Sequence, residues 1–172
     1  MSIFPTKILL ATDGSEEAEL ALLTAVDLAN RTSSELHVVH VGFSPLPIGA
    51  EVGPVAADPR LQDKVIEEAR RFLDLQVEQI EAVGGTVAQA HLGLTGRPDE
   101  EIVELAEEIS AGLIAMGSRG LGGMKRLLMG SVSDSVVRHA HCPVLVVRAE
   151  KGSPRGDSAG AVRTPQRLPR RG

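Results

Sequence analysis

The sequence predicts an α/β protein: an open, Rossmann-like sheet of five mostly parallel strands with helices on both faces. Three observations carry this prediction. Five short runs rich in Val, Ile, Leu and Ala lie within the first 150 residues. The strongest of them lack the alternation of a half-exposed strand, as strands covered on both faces do. Four segments between them carry apolar residues at helical spacing, and strands that alternate with helices imply a parallel sheet joined by crossovers.

The first run is KILLAT, residues 7–12. Ser15 then reads as a helix N-cap, with Glu16 and Glu17 in the first turn, where the helix dipole favours acids. That helix runs to about Asn30, with Ala18, Leu22, Ala25, Val26 and Ala29 on one face. ELHVVHVGF, residues 35–43, is the second strand. Residues 44–57 hold three Pro and two Gly and fit no regular element, which reads as a long loop at a strand end. Residues 58–83 are helical in pattern, with Val65, Ala69, Phe72, Leu73, Val77 and Ile80 on one face, and Gly84-Gly85 stops them. TVAQAHLG, residues 86–93, alternates loosely as a third strand. Pro98 suits the first position of the next helix, and Asp99, Glu100 and Glu101 suit its positive end. AGLIAMG (111–117) is the fourth strand, residues 131–140 form the last helix, and PVLVVR (143–148) is the fifth strand. Residues 1–149 therefore read as one domain. Residues 150–172, rich in Gly, Pro and Arg without periodicity, read as a disordered basic tail.

Composition narrows the function classes. The net charge is −5. The 22 residues from Lys151 to Gly172 carry six Lys or Arg and one Asp, which is +5 and leaves −10 on the rest. An acidic body is a poor general partner for nucleic acid or anionic lipid. Aromatic residues make up 2%, with no Trp or Tyr, so the stacking platforms of single-strand binders are missing. A single cysteine, Cys142, excludes an intrachain disulfide and fits a reducing compartment. No apolar run is long enough to cross a membrane. The N-terminal run meets Asp13 and Gly14 too soon for a signal peptide, so a cytoplasmic protein is expected.

The chemistry concentrates in MGSRGLGGMKRLLMGS, residues 116–131, which holds five Gly and three cations between a strand and a helix. In such sheets ligands bind beyond the carboxyl ends of the strands, where strand order reverses. Gly117 can turn the chain out of the strand. Gly120, Gly122 and Gly123 let backbone amides approach an anion. Gly130 and Ser131 open a helix whose free amides and dipole favour phosphate, and Arg119, Lys125 and Arg126 add charge. Each part has a bland alternative in an ordinary flexible turn; their coincidence at one strand end favours phosphate. The Walker pattern G-x-x-x-x-G-K-[ST] is absent, and ATDGSEE stands where a dinucleotide fold would carry G-x-G-x-x-G.

The spacing that is present, G-x2-G-x9-G-S at Gly117, Gly120, Gly130 and Ser131, resembles the ATP-binding branch of the universal stress protein family. The TDGSEEAELAL opening and the closing HCPVLVV extend the resemblance over about residues 1–149. It implies strand order 3-2-1-4-5, so that Asp13 and Gly117 converge. It implies that Gly117, Gly120, Gly130 and Ser131, with Val132 next in line, hold the phosphates of ATP. It places Asp13 at the nucleoside end with Ala11 and Thr12 beside it, lets Val41 offer its backbone to adenine, and lines the same cleft with Met116. Asp13 would repel a triphosphate at close range, so it should face a donor or share a cation; its plain alternative is an Asx-turn with Gly14-Ser15. Mg²⁺ is the expected companion of ATP.

His37, His40, His91, His139 and His141 show no metal-ligand spacing, and no protein metal site is expected. Cys142 reads as a small buried hydrophobe rather than a reactive thiol. No catalytic group follows from spacing, so a nucleotide-responsive regulatory switch in stress adaptation, with at most slow hydrolysis, is expected. A dimerisation or adaptor module without nucleotide, and an ATPase, are the competing readings. The resemblance implies a homodimer through the last strand (Val144, Leu145, Val146, Val147), and an apolar run on an open sheet edge invites the same pairing.

Overall fold

The computed structural model describes residues 2–42, 59–121 and 129–149. Its elements follow the order β1 (Lys7–Ala11), α1 (Glu16–Thr32), β2 (Glu35–Val41), α2 (Pro59–Ala82), β3 (Val87–Gly93), α3 (Pro98–Glu108), β4 (Leu113–Gly117), α4 (Ser131–His139) and β5 (Val144–Val147). All pairings are parallel and the sheet order is β3-β2-β1-β4-β5. The expected fold and strand order are those observed. The expected strands are trimmed by one or two residues at most ends. The loop at 44–57, the tail at 150–172 and residues 122–128 lie outside the described residues.

The apolar runs lack alternation because both faces of the central strands are covered. Ile8 and Leu10 of β1, Leu36 and Val38 of β2 and Leu113 and Ala115 of β4 pack against Ala21, Leu22, Ala25, Val26 and Ala29 of α1 and Leu73 and Ile80 of α2. Leu9, Ala11, Val39, Ile114 and Met116 face the other way, onto Ile102 and Ala106 of α3 and Val136 of α4. A fully buried Leu or Ile contributes about 1.5–3 kcal/mol, so these two layers hold β1 and β4 firmly at the centre. β5 closes one edge, and all four of its residues are half-buried.

The caps explain where α1 starts and stops. The Ser15 hydroxyl accepts from the Ala18 amide at 3.3 Å, an N-cap bond worth about 1 kcal/mol. Ser33 follows the helix at φ 55°, with its amide on the Ala29 carbonyl, a left-handed stop of the kind that usually takes Gly or Asn. Glu17, expected only as a first-turn acid, is also buried.

Candidate functional site

β1 pairs with β2 on one side and β4 on the other, Ala11 lying beside Val39 and Met116. The crossovers leave β1 and reach β4 on opposite faces, which parts the loops at their carboxyl ends. A cleft of about 590 Å³ opens there. Its inner wall is apolar: Ala11, Val39, Val41 and Met116 from the strand ends, Pro98 and Ile102 from α3, and Val132 from α4. Its rim carries Asp13, Arg119, Gly120, Gly130 and Ser131. The eleven residues singled out from sequence, namely Ala11, Thr12, Asp13, Val41, Met116, Gly117, Arg119, Gly120, Gly130, Ser131 and Val132, all border this one cleft. Gly122, Gly123, Lys125 and Arg126 lie outside the described residues.

The glycine loop leaves and returns at one point. The Ser118 carbonyl accepts from the Gly130 amide at 2.7 Å and from the Ser133 hydroxyl at 2.7 Å, and the Ser118 amide donates to the Val147 carbonyl. This corrects one expectation: the Gly130 amide is already engaged, so Gly130 shapes the turn rather than offering its own N–H. The first helical bond of α4 runs from Asp134 to the Gly130 carbonyl at 2.9 Å. The amides of Ser131, Val132 and Ser133 therefore precede the helical ladder, at the positive end of the helix dipole.

Asp13 ties the two loops together. Its Oδ1 accepts from the Ser15 amide at 3.0 Å, which is the Asx-turn. Its Oδ2 accepts from the Leu121 amide at 3.1 Å. A Cβ at Gly120 would collide with that same Oδ2. The missing side chain at Gly120 thus also makes room for Asp13, beside the expected approach of backbone amides to an anion. Thr12 borders the cleft, but its hydroxyl donates to Gln76 of α2 at 2.8 Å and its carbonyl accepts from His40 Nδ1 at 2.9 Å. His40 in turn lies against the Phe72 ring, with centroids 4.3 Å apart.

Arg119 is paired. Its Nη2 lies 3.2 Å from Glu17 Oε1, and the other oxygen of Glu17 accepts from the Ser118 hydroxyl. Arg119 Nε is buried with no hydrogen-bond partner among the described residues. Gly117 lets β4 end directly against α1: a Cβ there would lie 2.8 Å from the Ala18 amide nitrogen and from the Glu17 carbonyl carbon. Sequence reasoning missed Glu17, although it shares a helical stripe with Ala21 and Ala25, four and eight residues on. It also missed Val39, Pro98, Ile102 and Ser133. Of these, Pro98 carried a signal, since the opening of a helix that follows a parallel strand faces the same end of the sheet as the glycine loop. Cys142 is half-buried, and burial pushes its thiol up from the ordinary range, as a small hydrophobe would behave. Among the described residues no group of three His, Cys, Asp or Glu gathers to hold a metal ion.

The fold and cleft define a doubly wound α/β protein with one crevice at the switch of strand order, apolar on the inside and rich in backbone amides at the rim. Residues 5–148 match the universal stress protein family, and the chain belongs to it. Universal stress protein MJ0531 of Methanocaldococcus jannaschii is 34% identical over 146 residues, 84% of this chain and 83% of that one. The solved structure of hypothetical protein MJ0577 superposes with a TM-score of 0.70 at 32% identity, covering 87% of this chain and all of that one. A universal stress protein from Archaeoglobus fulgidus, solved in complex with dAMP, has a TM-score of 0.59 at 28% identity over 85% of this chain and 99% of that one.

Proposed function

We propose that the cleft binds ATP and that the protein is a nucleotide-responsive regulatory switch in stress adaptation. One observation carries the reading: the Ser131–Ser133 amides at the start of α4 open onto the same cleft whose other wall is apolar. A purine needs the apolar wall and a phosphate chain needs the amides. The dAMP complex of the relative supports an adenine nucleotide here. On this reading Ala11, Val41 and Met116 enclose the base, and Thr12 and Asp13 sit at the nucleoside end. Gly117, Gly120, Gly130, Ser131 and Val132 shape and supply the phosphate rim. Arg119 borders that rim while paired with Glu17. Asp13 already accepts two amides, so Mg²⁺ is assigned to the phosphates themselves, as is usual for this ion.

We assign the active form to a homodimer joined through β5, whose Val144, Leu145, Val146 and Val147 run along a sheet edge. We place the protein in the cytoplasm, with no nucleic acid or membrane partner. No described helix is long and apolar enough to cross a membrane. Mass spectrometry of freshly purified protein under native conditions tests the nucleotide reading. The expected spectrum carries a mass increment of one adenine nucleotide per chain. A protein that stays bare after incubation with millimolar ATP would leave an adaptor without nucleotide as the better reading.

A further inference from the structure

Arg119 is the one Lys or Arg among the described residues that border the cleft, and it does not face the cleft with a free charge. Its guanidinium is paired with Glu17, whose side chain is only 9% exposed, against 27% for Arg119. A pair this enclosed is screened far less than an ordinary surface pair. Glu17 has little room to retreat. Its second oxygen is held by Ser118, and the turn of α1 that carries it abuts Gly117. Yet the grip is one-sided: Nη2 meets the carboxylate while Nε stays buried without a partner among the described residues, short of the two-pronged pairing that Arg forms with carboxylates at full strength.

We infer that Glu17 sets how the cleft ranks adenine nucleotides by charge, because it holds Arg119 back from the phosphates. The inference rests on the adenine-nucleotide reading above. With Arg119 cancelled by Glu17, and Asp13 spending its charge on two amides, the described side chains around the rim sum to −1. Anion recognition then falls on the amides that open α4, which one phosphate is enough to meet. Each further phosphate brings negative charge toward Glu17 and Asp13 without a matching described cation. Removing the charge of Glu17 while keeping its shape turns Arg119 into an unpaired cation on the cleft wall, and the added phosphates of ATP gain most from it. Glu17 is thus a positioning residue that acts through Arg119.

The test is isothermal titration of ATP and AMP, in magnesium-free buffer, into wild type, Glu17→Gln and the double variant Glu17→Gln/Arg119→Gln. The side-chain amide that replaces the carboxylate can still accept from Ser118. The expected result is an ATP-to-AMP affinity ratio raised about tenfold in Glu17→Gln, the factor that corresponds to ~1.4 kcal/mol. ATP binding should also fall more steeply with salt, and the double variant should return to the wild-type ratio. If Glu17→Gln does not fold, Glu17→Asp, which withdraws the carboxylate by one methylene, should move the ratio the same way by less. Wild type that binds both nucleotides, with an unchanged ratio in the folded variant, overturns the role of Glu17 alone. Wild type that binds neither overturns the nucleotide reading and this inference together.

Discussion

Replacing Gly117 by Ala separates packing from ligand contact at the centre of the site. Gly117 does not adopt a positive φ, so the backbone itself accepts a side chain and only space decides. A Cβ would lie 2.8 Å from the Ala18 amide nitrogen and 2.8 Å from the Glu17 carbonyl carbon. Both are backbone atoms in the first turn of α1, a helix whose Ala18, Ala21 and Leu22 are almost fully buried. Neither can swing aside, so α1 must slide off β4. Overpacking of this kind costs about 1–3 kcal/mol, which is roughly 3–10 °C in Tm for a domain of this size. Circular dichroism melts of the two proteins, without nucleotide, measure it. The contrast is Gly120→Ala, where the obstacle is the end of the Asp13 side chain, a group that can rotate away at lower cost to the fold. A Gly117→Ala protein that melts within 1 °C of wild type would show that β4 does not rest on α1 as described.

Two further outcomes follow from other parts of the fold. Val146→Lys puts a charge on the edge strand and should convert the proposed dimer to monomer in analytical ultracentrifugation; an unchanged dimer mass would place the interface elsewhere. His91 lies below its ordinary pKa of 6.5 because burial disfavours its charged form and His37, 3.3 Å away, repels it, while Glu108 pulls weakly the other way. A base with a lowered folded pKa binds fewer protons folded than unfolded in the window below 6.5, so stability should fall as pH drops through that window. Urea titrations at pH 7.5, 6.0 and 5.0 should show this decline, and His91→Gln should flatten it. The change should be well under the ~1.4 kcal/mol per pH unit of a fully protected group, because the ring is half-exposed. An identical slope in the variant would assign the decline to other groups.

Much of the fold was legible because burial on both faces leaves a plain mark. KILLAT and LIAMG have no polar alternation, and β1 and β4 are indeed the strands sandwiched between α1 and α2 on one side and α3 and α4 on the other. The cleft was legible because glycines and a helix start at a strand end are local signals. The contacts inside it were not. Asp13 and Leu121 are 108 residues apart, Thr12 and Gln76 are 64 apart, and Glu17 meets Ser118 across 101. The first and last depend on how strands 1 and 4 are brought side by side and the second on how α2 packs beside the end of strand 1, and no spacing rule reports either. Glu17 shows the difficulty best. A first-turn acid is explained by the helix dipole alone, so nothing local asks for a cationic partner. The same holds for Gly120, whose neighbour is Asp13 rather than open space.

The central claim is that backbone amides at the start of α4, set against an apolar wall, receive a nucleotide. A crystal grown with millimolar ATP and magnesium tests it most directly. The account predicts density with phosphates at Ser131, Val132 and Ser133 and the base against Val41 and Met116. A cleft holding only solvent, or filled by the chain's own residues at full ATP concentration, would contradict it.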